Sequence, residues 1–577
     1  MKVIRLVFFL IAGASFNAFS QTALYVSPTG KGATFSSAAP GNIYLLQQKL
    51  QDLKAANTKD VTVYLKGGTY NMVKSLIFTN AELGGSDSKL LITNAPGEKP
   101  ILSGGKKITG WTPYKDGIYQ APVPANFNTR QLYINGKIAV RARYPNRDND
   151  DDYGPYFLVK SFDTSNKKVI INASEAGKWG NLANVEMVIN QHWYQSRMLI
   201  NSITKQGSTA AVSLSGPQAA TFFSTAAFRL LDPNKSYYFE NAMEFLDSEN
   251  EWYLDNTKNI IYYKPKAGTD LNSAEVIAPL LSNIIKINGA IDSRVKNIQI
   301  SNIEFAYTTW LLPGTSSLII DLAVTAQRKT KKFLAPGLIE VNYADNFTLS
   351  NCTLHSSGAN GLIFGQGVSH SLISKNHIYD MCGNGIVIDT YNKPNPPATI
   401  QCIKNVISGN LIENVGLNYT NGMGIIANCV ANHLFENNEI REGRYTGIEV
   451  GNEYGDKLSG TQYNLIRKNN IHHVMLLHDD GAAIYTLSNQ PGTQIYENWV
   501  HDMTKSKWAD AFPINGIYLD DNSAFIKVQN NTLENFNNAI KLKQHFGNSR
   551  VNTHDNIIMN NDKSDNSIKA ASGVAKQ

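Results

Sequence analysis

Residues 438–450 read NEIREGRYTGIEV, and both halves of this stretch recur along the C-terminal part of the chain. The first half is Asn, any residue, and then Ile, Leu or Val. It appears at Asn376-His-Ile, Asn410-Leu-Ile, Asn438-Glu-Ile, Asn469-Asn-Ile, Asn498-Trp-Val, Asn531-Thr-Leu and Asn556-Ile-Ile. The steps between them are 34, 28, 31, 29, 33 and 25 residues. A repeat of this length indicates a solenoid of stacked units.

The second half of the stretch predicts another short strand in each unit. A small residue followed by Ile or Leu opens it, at Gly361, Gly385, Gly424, Gly447, Ala483, Gly516 and Ala539. One unit cannot bury its own apolar face, whereas stacked units bury columns of Ile, Leu and Val. The recurrent Asn is expected to adopt left-handed backbone geometry and to hydrogen-bond to the next Asn. Leucine-rich repeats are shorter and propeller blades lack this turn, so the pattern predicts an all-β, right-handed parallel β-helix.

The chain before residue 276 is organised differently. Residues 21–105 are interpreted as an N-terminal cap and the first coils, with a cap helix at 45–55. Residues 106–275 alternate without the solenoid period, and Asn135-Gly136 between two alternating runs indicates a hairpin. They are interpreted as an inserted β-sandwich. Residues 276–577 then form the main parallel β-helix, which is expected to carry the active site.

Residues 1–20 have the features of a secretory signal peptide. Lys2 and Arg5 precede an apolar run at 6–14, and Ala18-Phe-Ser is a small-residue cleavage site before Gln21. The apolar run is too short to span a membrane, and no Cys follows the cleavage site for a lipid anchor. We therefore expect export to the periplasm or the cell exterior, without membrane insertion.

Composition narrows the class of partner. The 577 residues are 42% hydrophobic and 17% charged, with a formal net charge of +6. No basic stripe indicates nucleic acid, whereas a carbohydrate, including an acidic one, is compatible. The four cysteines are Cys352, Cys382, Cys402 and Cys429. Their spacing matches no metal-binding or redox motif, so both disulfides and buried free thiols stay open. The histidines at 472, 473 and 478 fit no zinc signature, so neither a metal nor a cofactor is expected. Separately, the protein is expected to be a monomer.

Several segments carry a resemblance to a known family. They are Arg130-Gln-Leu-Tyr-Ile-Asn-Gly-Lys, Val140-Arg-Ala-Arg-Tyr-Pro-Asn, Glu251-Trp-Tyr-Leu-Asp, Tyr445-Thr-Gly-Ile, Asp480-Gly-Ala-Ala-Ile-Tyr-Thr and Gly516-Ile-Tyr-Leu-Asp-Asp. Together they resemble glycoside hydrolase family 141. The resemblance implies α-L-fucosidase or xylanase activity on plant cell-wall glycans, with two catalytic carboxylates on adjacent coils. Gly447-Ile-Glu449 and Asp521-Asn522 depart from the family pattern and leave the substrate open.

The residues themselves allow the chemistry that such an enzyme needs. Hydrolysis of a glycosidic bond requires one carboxylic acid and one carboxylate. Side chains alternate between the two faces of a strand, so Tyr518 and Asp520 point outward if Ile517 and Leu519 lie in the core. Coils stack about 4.8 Å apart, and the same count gives an outward column of Asp389, Glu449, Tyr485, Tyr518, Asp520 and Lys541.

Asp480 and one of Asp520 or Asp521 are predicted to be the catalytic pair. One carboxyl should be ionised, and the other should be kept protonated by burial and by its neighbour's charge. Substrate-binding roles are predicted for Glu449, Tyr485, Tyr518, Asp479, Lys541 and His478. The longer loops after Asn410, Asn469 and Asn498 are expected to wall a wide groove over the column.

Two other functions stay open at this point. A polysaccharide lyase would remove a proton next to a uronate with Lys541, Lys543 or His545. A non-catalytic glycan-binding protein would not need clustered carboxylates, so the acidic column favours an enzyme.

Overall fold

The computed structural model describes residues 22–82, 88–147, 154–216, 218–224, 230–312, 318–321, 324–328, 331–390, 393–452, 458–545, 555–561 and 563–574. The predicted signal peptide lies outside the described residues. Within them, the chain forms a parallel β-helix with an inserted β-sandwich, as predicted. Each complete coil contributes one strand to each of three long parallel sheets.

The first sheet contains twelve strands: Thr22–Val26, Asp60–Leu65, Lys89–Asn94, Ile298–Ser301, Thr348–Ser350, Leu372–Ser374, Val406–Ser408, Leu434–Glu436, Leu465–Arg467, Gln494–Tyr496, Lys527–Gln529 and Ile557–Met559. The second contains ten: Gly68–Asn71, Pro100–Ser103, Glu304–Ala306, Thr353–Ser357, His377–Met381, Leu411–Val415, Glu439–Gly443, Asn470–His472, Trp499–Thr504 and Thr532–Asn537. The third also contains ten: Leu76–Phe78, Ile285–Asn288, Gly337–Asn342, Asn360–Phe364, Ile386–Ile388, Ile425–Ala427, Ile448–Val450, Gly481–Thr486, Ile514–Leu519 and Ala539–Gln544. A two-stranded sheet of Val295–Lys296 and Ala344–Asp345 lies at one turn.

The repeated apolar residue after each Asn builds the core of the helix. In the second sheet the residues Ile378, Ile412, Ile440, Ile471, Val500 and Leu533 stand opposite one another on successive coils. All of them are buried in one continuous core that runs along the helix. Burying each such side chain contributes about 1.5–3 kcal/mol, so the helix is stabilised by stacking.

The recurrent Asn side chains form a buried ladder. The amide of Asn376 donates to the side-chain oxygen of Asn410 at 2.9 Å, and the same bond links Asn410, Asn438, Asn469, Asn498, Asn531 and Asn561 in turn. The predicted bonds between coils are therefore present, although Asn561 and not Asn556 ends the ladder. The predicted left-handed geometry is wrong for the ladder residues. It falls on the residue before each of them, as at Lys375 and Asn437, because the chain must turn there before the side chain can point inward.

The inserted domain occupies most of the chain between the third and fourth strands of the first sheet. Its large sheet contains Arg143–Tyr144, Phe157–Leu158, Ser161–Asp163, Lys168–Asn172, Glu186–Gln191, Tyr194–Gln206, Thr209–Leu214, Ser236–Glu240, Leu318–Asp321, Thr325–Arg328 and Lys331–Leu334. Its small sheet contains Thr112–Pro113, Tyr119–Pro122, Val140–Arg141, Glu251–Asp255 and Ile260–Lys264. A four-stranded sheet at its base contains Gly105–Lys107, Tyr133–Ile134, Lys137–Ile138 and Val276–Pro279.

The two larger sheets of the inserted domain share a core. Met187 and Val169 of the large sheet pack in one cluster with Tyr253 and Tyr262 of the small sheet. The large sheet also receives the three strands between 318 and 334, which follow the boundary expected for the main helix. Ile319 pairs with Ser196 in this extension, so a segment from the β-helix part of the chain is hydrogen-bonded to the inserted domain.

Helices are short in the described part of the chain. The α-helices are Leu46–Ala55, Gln218–Ser224 and Asn566–Ala571, and the 3-10 turns are Ile43–Leu45, Ala173–Glu175, Leu182–Asn184 and Met243–Phe245. Leu46 and Leu50 are buried in the main core at its N-terminal end, so the first helix covers the open coil there.

All four cysteines are buried free thiols. Burial raises the pKa of the Cys382 and Cys402 thiols to about 12, which keeps them protonated and unreactive. Among the helices described, none combines the length and apolar character needed to cross a membrane.

Candidate active site

The register of the third sheet builds a column of polar side chains. Glu449 stands opposite Tyr485, and Tyr485 stands opposite Tyr518. Their neighbours Ile484 and Ile517 lie in the main core, whereas Tyr485 and Tyr518 form a separate small cluster with Ala482 and Leu487. The tyrosines therefore lie on the outer side of the coil, as the alternation predicts.

The predicted place of Lys541 in this column is wrong. Tyr518 pairs with Lys543, and Lys541 falls beside Gly516 because Asn515 pairs with Ile540 and Ile517 with Leu542. The reason is an irregularity in the preceding strand, where Ile514 and Ile517 both face the core although two residues separate them. At such an irregularity the alternation of side chains is interrupted. Residues before it then lie on the opposite face from the one that counting back from Ile517 predicts. Ile540, counted as a core residue, is accordingly 40% exposed.

Asp520 follows the strand Ile514–Leu519 and is held by several donors. The Tyr485 hydroxyl donates to its Oδ2 at 2.6 Å, and His545 Nδ1 lies 3.0 Å from its Oδ1. Burial alone would raise the pKa of Asp520, but the hydrogen bonds from His545, Tyr485 and Tyr518 outweigh it and lower the pKa below its usual value. Asp520 is therefore ionised at neutral pH.

Asp480 lies just before the strand of the adjacent coil. Its backbone φ is +54°, its N–H donates to the Pro513 carbonyl at 3.1 Å, and its own carbonyl accepts from the Tyr445 hydroxyl at 3.1 Å. Burial, together with the negative charges of Asp520 and Asp479, raises the pKa of Asp480 to about 7. A carboxyl that titrates near neutral pH thus lies within electrostatic reach of an ionised one.

Asp521 and the cationic side chains border this pair. The Asp521 side chain is 26% exposed, and its Oδ1 lies 4.0 Å from His545 Nδ1. Lys543 donates to the Tyr518 hydroxyl at 2.9 Å and lies 4.0 Å from the centre of its ring. Ligand atoms of Asp520, Asp521 and His545 lie within 4.8 Å of one another, and the His545–Asp520 contact explains this closeness without an ion.

Five of the six residues predicted to bind substrate are buried: Tyr485 and Tyr518, which are 7% and 1% exposed, and Asp479, His478 and Glu449. Asp479 is fully buried, and its oxygens accept from His192 Nδ1 at 2.7 Å and from the Phe512 N–H at 2.8 Å. His478 is buried between the His192 carbonyl, 2.6 Å away, and the Thr420 hydroxyl, 2.8 Å away. Glu449 has the expected register but is also fully buried. Asp479 and His478 bind the inserted domain, which leaves no atom of theirs for a sugar.

The longer loops hold the inserted domain against the helix. Asn421 donates to the carbonyls of Trp193 and Ile320 at 3.1 and 3.0 Å, and Lys235 forms an ion pair with Asp510. Sequence reasoning missed His192 and Lys235 because both lie far away in the chain. The lengths of the loops after Asn410, Asn469 and Asn498 were the only signal of this contact.

Two clefts in the described part of the chain lie away from the tyrosine column. One of about 400 Å³ is lined by His473, Leu476, Asp502, Thr504, Asn535, Phe536 and Asn537. Another, of about 610 Å³, lies next to the C-terminal helix and is lined by Lys468, Glu497 and residues between 530 and 571. A wide groove over the tyrosine column remains a prediction.

Comparisons with known proteins agree with this architecture. Residues 118–266 match the model of the "GH141 insertion domain", and residues 283–453 and 404–575 match the "right handed beta helix region". A solved structure described as "glycoside hydrolase" is 25% identical, covers 96% of this chain and 99% of its own, and has a TM-score of 0.85. The complex of XylC with xylose is 13% identical, covers 92% and 71%, has a TM-score of 0.51, and supports the fold alone. No curated protein matches the chain.

Proposed function

Because this chain belongs to the right-handed β-helix proteins and carries the insertion domain of glycoside hydrolase family 141, we propose that Asp480 and Asp520 are the catalytic pair with which this glycosidase works. The feature that carries the proposal is a pair of electrostatically coupled carboxyls on adjacent coils whose pKa values are shifted in opposite directions. The pKa of Asp480 is raised to about 7, whereas that of Asp520 is lowered. An acid and a carboxylate in one site are what glycosidic hydrolysis requires.

In the proposed mechanism, Asp480 donates its proton to the glycosidic oxygen as the bond from that oxygen to the anomeric carbon breaks. The Asp520 carboxylate either attacks the anomeric carbon or removes a proton from the water that does so. In both routes the water supplies one hydrogen and one hydroxyl to the products, and Asp480 and Asp520 return to their starting protonation states. Tyr485 orients Asp520 through its 2.6 Å hydrogen bond.

Asp521 is the alternative partner of Asp480. Its side chain is more exposed than that of Asp520 and could reach a bound sugar more easily. Asp520 is favoured because its charge acts more strongly on Asp480 than that of Asp521. The two residues are adjacent and carry the same side chain, so they form a matched pair for mutagenesis.

The proposed substrate is a complex plant cell-wall glycan, with an α-L-fucoside or a xylan as the first candidates. The purified protein should be incubated with a panel of such glycans, and released sugars should be followed by chromatography. On the substrate that is cleaved, Asp480→Asn and Asp520→Asn should each lower kcat by about 10²–10⁴-fold, whereas Asp521→Asn should keep most of the rate.

Each other outcome has a defined meaning. A large loss in Asp521→Asn with little loss in Asp520→Asn would transfer the carboxylate role to Asp521. An unsaturated product that absorbs in the ultraviolet would indicate a lyase that uses Lys543 or His545. Binding without any turnover would indicate a glycan-binding protein. Export of the chain, also proposed, would give Gln21 as the first residue in N-terminal sequencing.

A further inference from the structure

The inserted domain contacts the helix at the residue next to Asp480. His192 lies in the turn between the strands Glu186–Gln191 and Tyr194–Gln206, and its side chain and that of Asp479 are fully buried against each other. The distance from His192 Nδ1 to Asp479 Oδ1 is 2.7 Å. A hydrogen bond to a buried carboxylate is among the stronger contacts in a protein, so this pair is a specific link between the two domains.

The proton positions on this link follow from its neighbours. Lys235 Nζ lies 3.4 Å from His192 Nε2, and an ammonium can only donate. Asp510 Oδ2 lies 3.5 Å from the same nitrogen. At Nδ1 the direction is fixed, because an ionised carboxylate can only accept, so His192 donates from Nδ1 to Asp479. The His192 ring also packs on Phe512 with centroids 4.2 Å apart, and the Phe512 N–H donates to the other oxygen of Asp479. Both oxygens of Asp479 are thus fixed, one by each domain.

Asp480 depends on this anchor for its orientation. Its φ of +54° lies in the left-handed region, which is uncommon for residues with a side chain although Asp tolerates it better than most. The N–H and the carbonyl of Asp480 are held by Pro513 and Tyr445. The preceding residue is held through the side chain of Asp479, so loss of the His192 contact removes one of the anchors of the segment that presents Asp480.

We propose that His192 is a positioning residue for catalysis, and that the inserted domain therefore completes the active site of the helix. His192 acts through Asp479, by fixing the backbone that directs the carboxyl of Asp480 and by donating a hydrogen bond to the charge next to it. This inference rests on the proposed function, in which Asp480 is the general acid.

The charges that face the two residues determine the pH behaviour. Asp480 is influenced by Asp479, Asp520, Asp521 and Lys543, with Tyr445, Tyr485 and Tyr518 beside it. Asp479 is faced by His192, His478 and Phe512, with Lys235 and Asp510 behind His192. Without the His192 donor, the charge of Asp479 is less compensated and should hold the proton on Asp480 more tightly. Without the charge of Asp479, that proton should be released more easily.

Two substitutions at His192 distinguish the effect of its hydrogen-bond donor from the effect of its ring packing. His192→Phe keeps an aromatic ring against Phe512 but removes the donor, whereas His192→Asn keeps a donor near the position of Nδ1. We expect His192→Phe to lower kcat at least about tenfold with little change in KM, since small displacements of a catalytic group are costly. In the profile of kcat/KM against pH, the alkaline limb of His192→Phe should move to higher pH. His192→Asn should recover most of the rate.

Asp479→Asn should move the alkaline limb in the opposite direction, to lower pH. The control is Asn421→Ala, which weakens the same domain contact through Trp193 and Ile320 but does not touch Asp479. It should leave the pH profile in place. Thermal unfolding and proteolysis of all variants should show that the inserted domain stays folded and docked.

The inference is wrong if His192→Phe keeps the wild-type rate and pH profile, if Asn421→Ala reproduces its effect, or if Asp479→Asn shifts the limb in the same direction. A readout without turnover separates this failure from that of the proposed function. Titration of the Asp480 carboxyl by ¹³C NMR, assigned against Asp480→Asn, should show a higher pKa in His192→Phe. If no glycan is cleaved, or Asp480→Asn keeps the rate, the proposed function fails and the catalytic role of His192 fails with it, whereas the titration still decides whether His192 sets the pKa of Asp480.

Discussion

Replacing Asp480 by Asn should stabilise the protein while it abolishes most of the activity. The pKa of Asp480 rises from 3.8 to about 7 on folding, so ionising it costs more in the folded chain than in the unfolded one. At about 1.4 kcal/mol for each pH unit, the difference is roughly 4 kcal/mol. The amide has nearly the same shape and carries no charge, so Asp480→Asn should remove this cost.

The sign of the effect depends on pH. Below about pH 4 the carboxyl is protonated in both states, and wild type and Asp480→Asn should be equally stable. As the pH rises from 4 to 7, the unfolded state loses its proton first, so wild-type stability falls relative to the variant. Above pH 7 the gap should remain constant at its full size.

Calorimetry can measure this gap. With about 2.1 cal/mol/K of unfolding entropy per residue, the 577-residue chain should show a Tm gain of roughly 3–4 °C at pH 8 and none near pH 4. The control is Asp502→Asn, since hydrogen bonds outweigh burial and lower the pKa of Asp502, so this variant should lose stability above pH 4. A Tm for Asp480→Asn that is lower than wild type at pH 8, or a gain that does not change with pH, would falsify the assignment of a raised pKa.

Three further results are expected. Asn438→Ala should lower the unfolding free energy by about 3–5 kcal/mol in denaturant titrations, because it leaves several buried ladder partners unsatisfied; a loss below about 1 kcal/mol would mean that the ladder adds little stability. Tyr485→Phe should raise the pKa of Asp520 by removing its 2.6 Å donor, so the acidic limb of kcat/KM should move to higher pH; an unmoved limb would exclude Asp520 as the base. A thiol reagent should modify none of the four cysteines in the native protein and all four in denaturant; fast native labelling would contradict their burial.

The helix could be predicted because its repeat is local and redundant. Each Asn-x-Ile triplet specifies a turn and an inward side chain, and seven copies outweigh an error in any one of them. The position of the left-handed residue could not be read in this way, since Lys375, Asn437 and Glu497 share the geometry without sharing a residue type. The left-handed conformation is adopted by the residue that precedes each ladder Asn, whatever its type.

The candidate site was harder to predict because it depends on register and on distant contacts. Alternation placed Tyr485 and Tyr518 correctly, but the irregularity before Ile517 replaced Lys541 by Lys543. Stacking was expected to bring Asp480 and Asp520 together, but the register places Asp480 beside Pro513 at one end of the paired strands and Asp520 at the other end. No local pattern connects His192 to Asp479, which lie 287 residues apart in the chain.

The position of the inserted domain also affects how the chain is made. The strand Lys89–Asn94 pairs directly with Ile298–Ser301, so roughly 200 residues must leave the ribosome before the third coil gains its neighbour. At about 5–20 residues per second this takes roughly 10–40 s. During that interval the nascent N-terminal coils carry an open strand edge, which is a template for pairing with another chain. Slow translation or a delayed fold of residues 106–275 should therefore lead to aggregation that begins in the first hundred residues, while the completed coils that follow are spared.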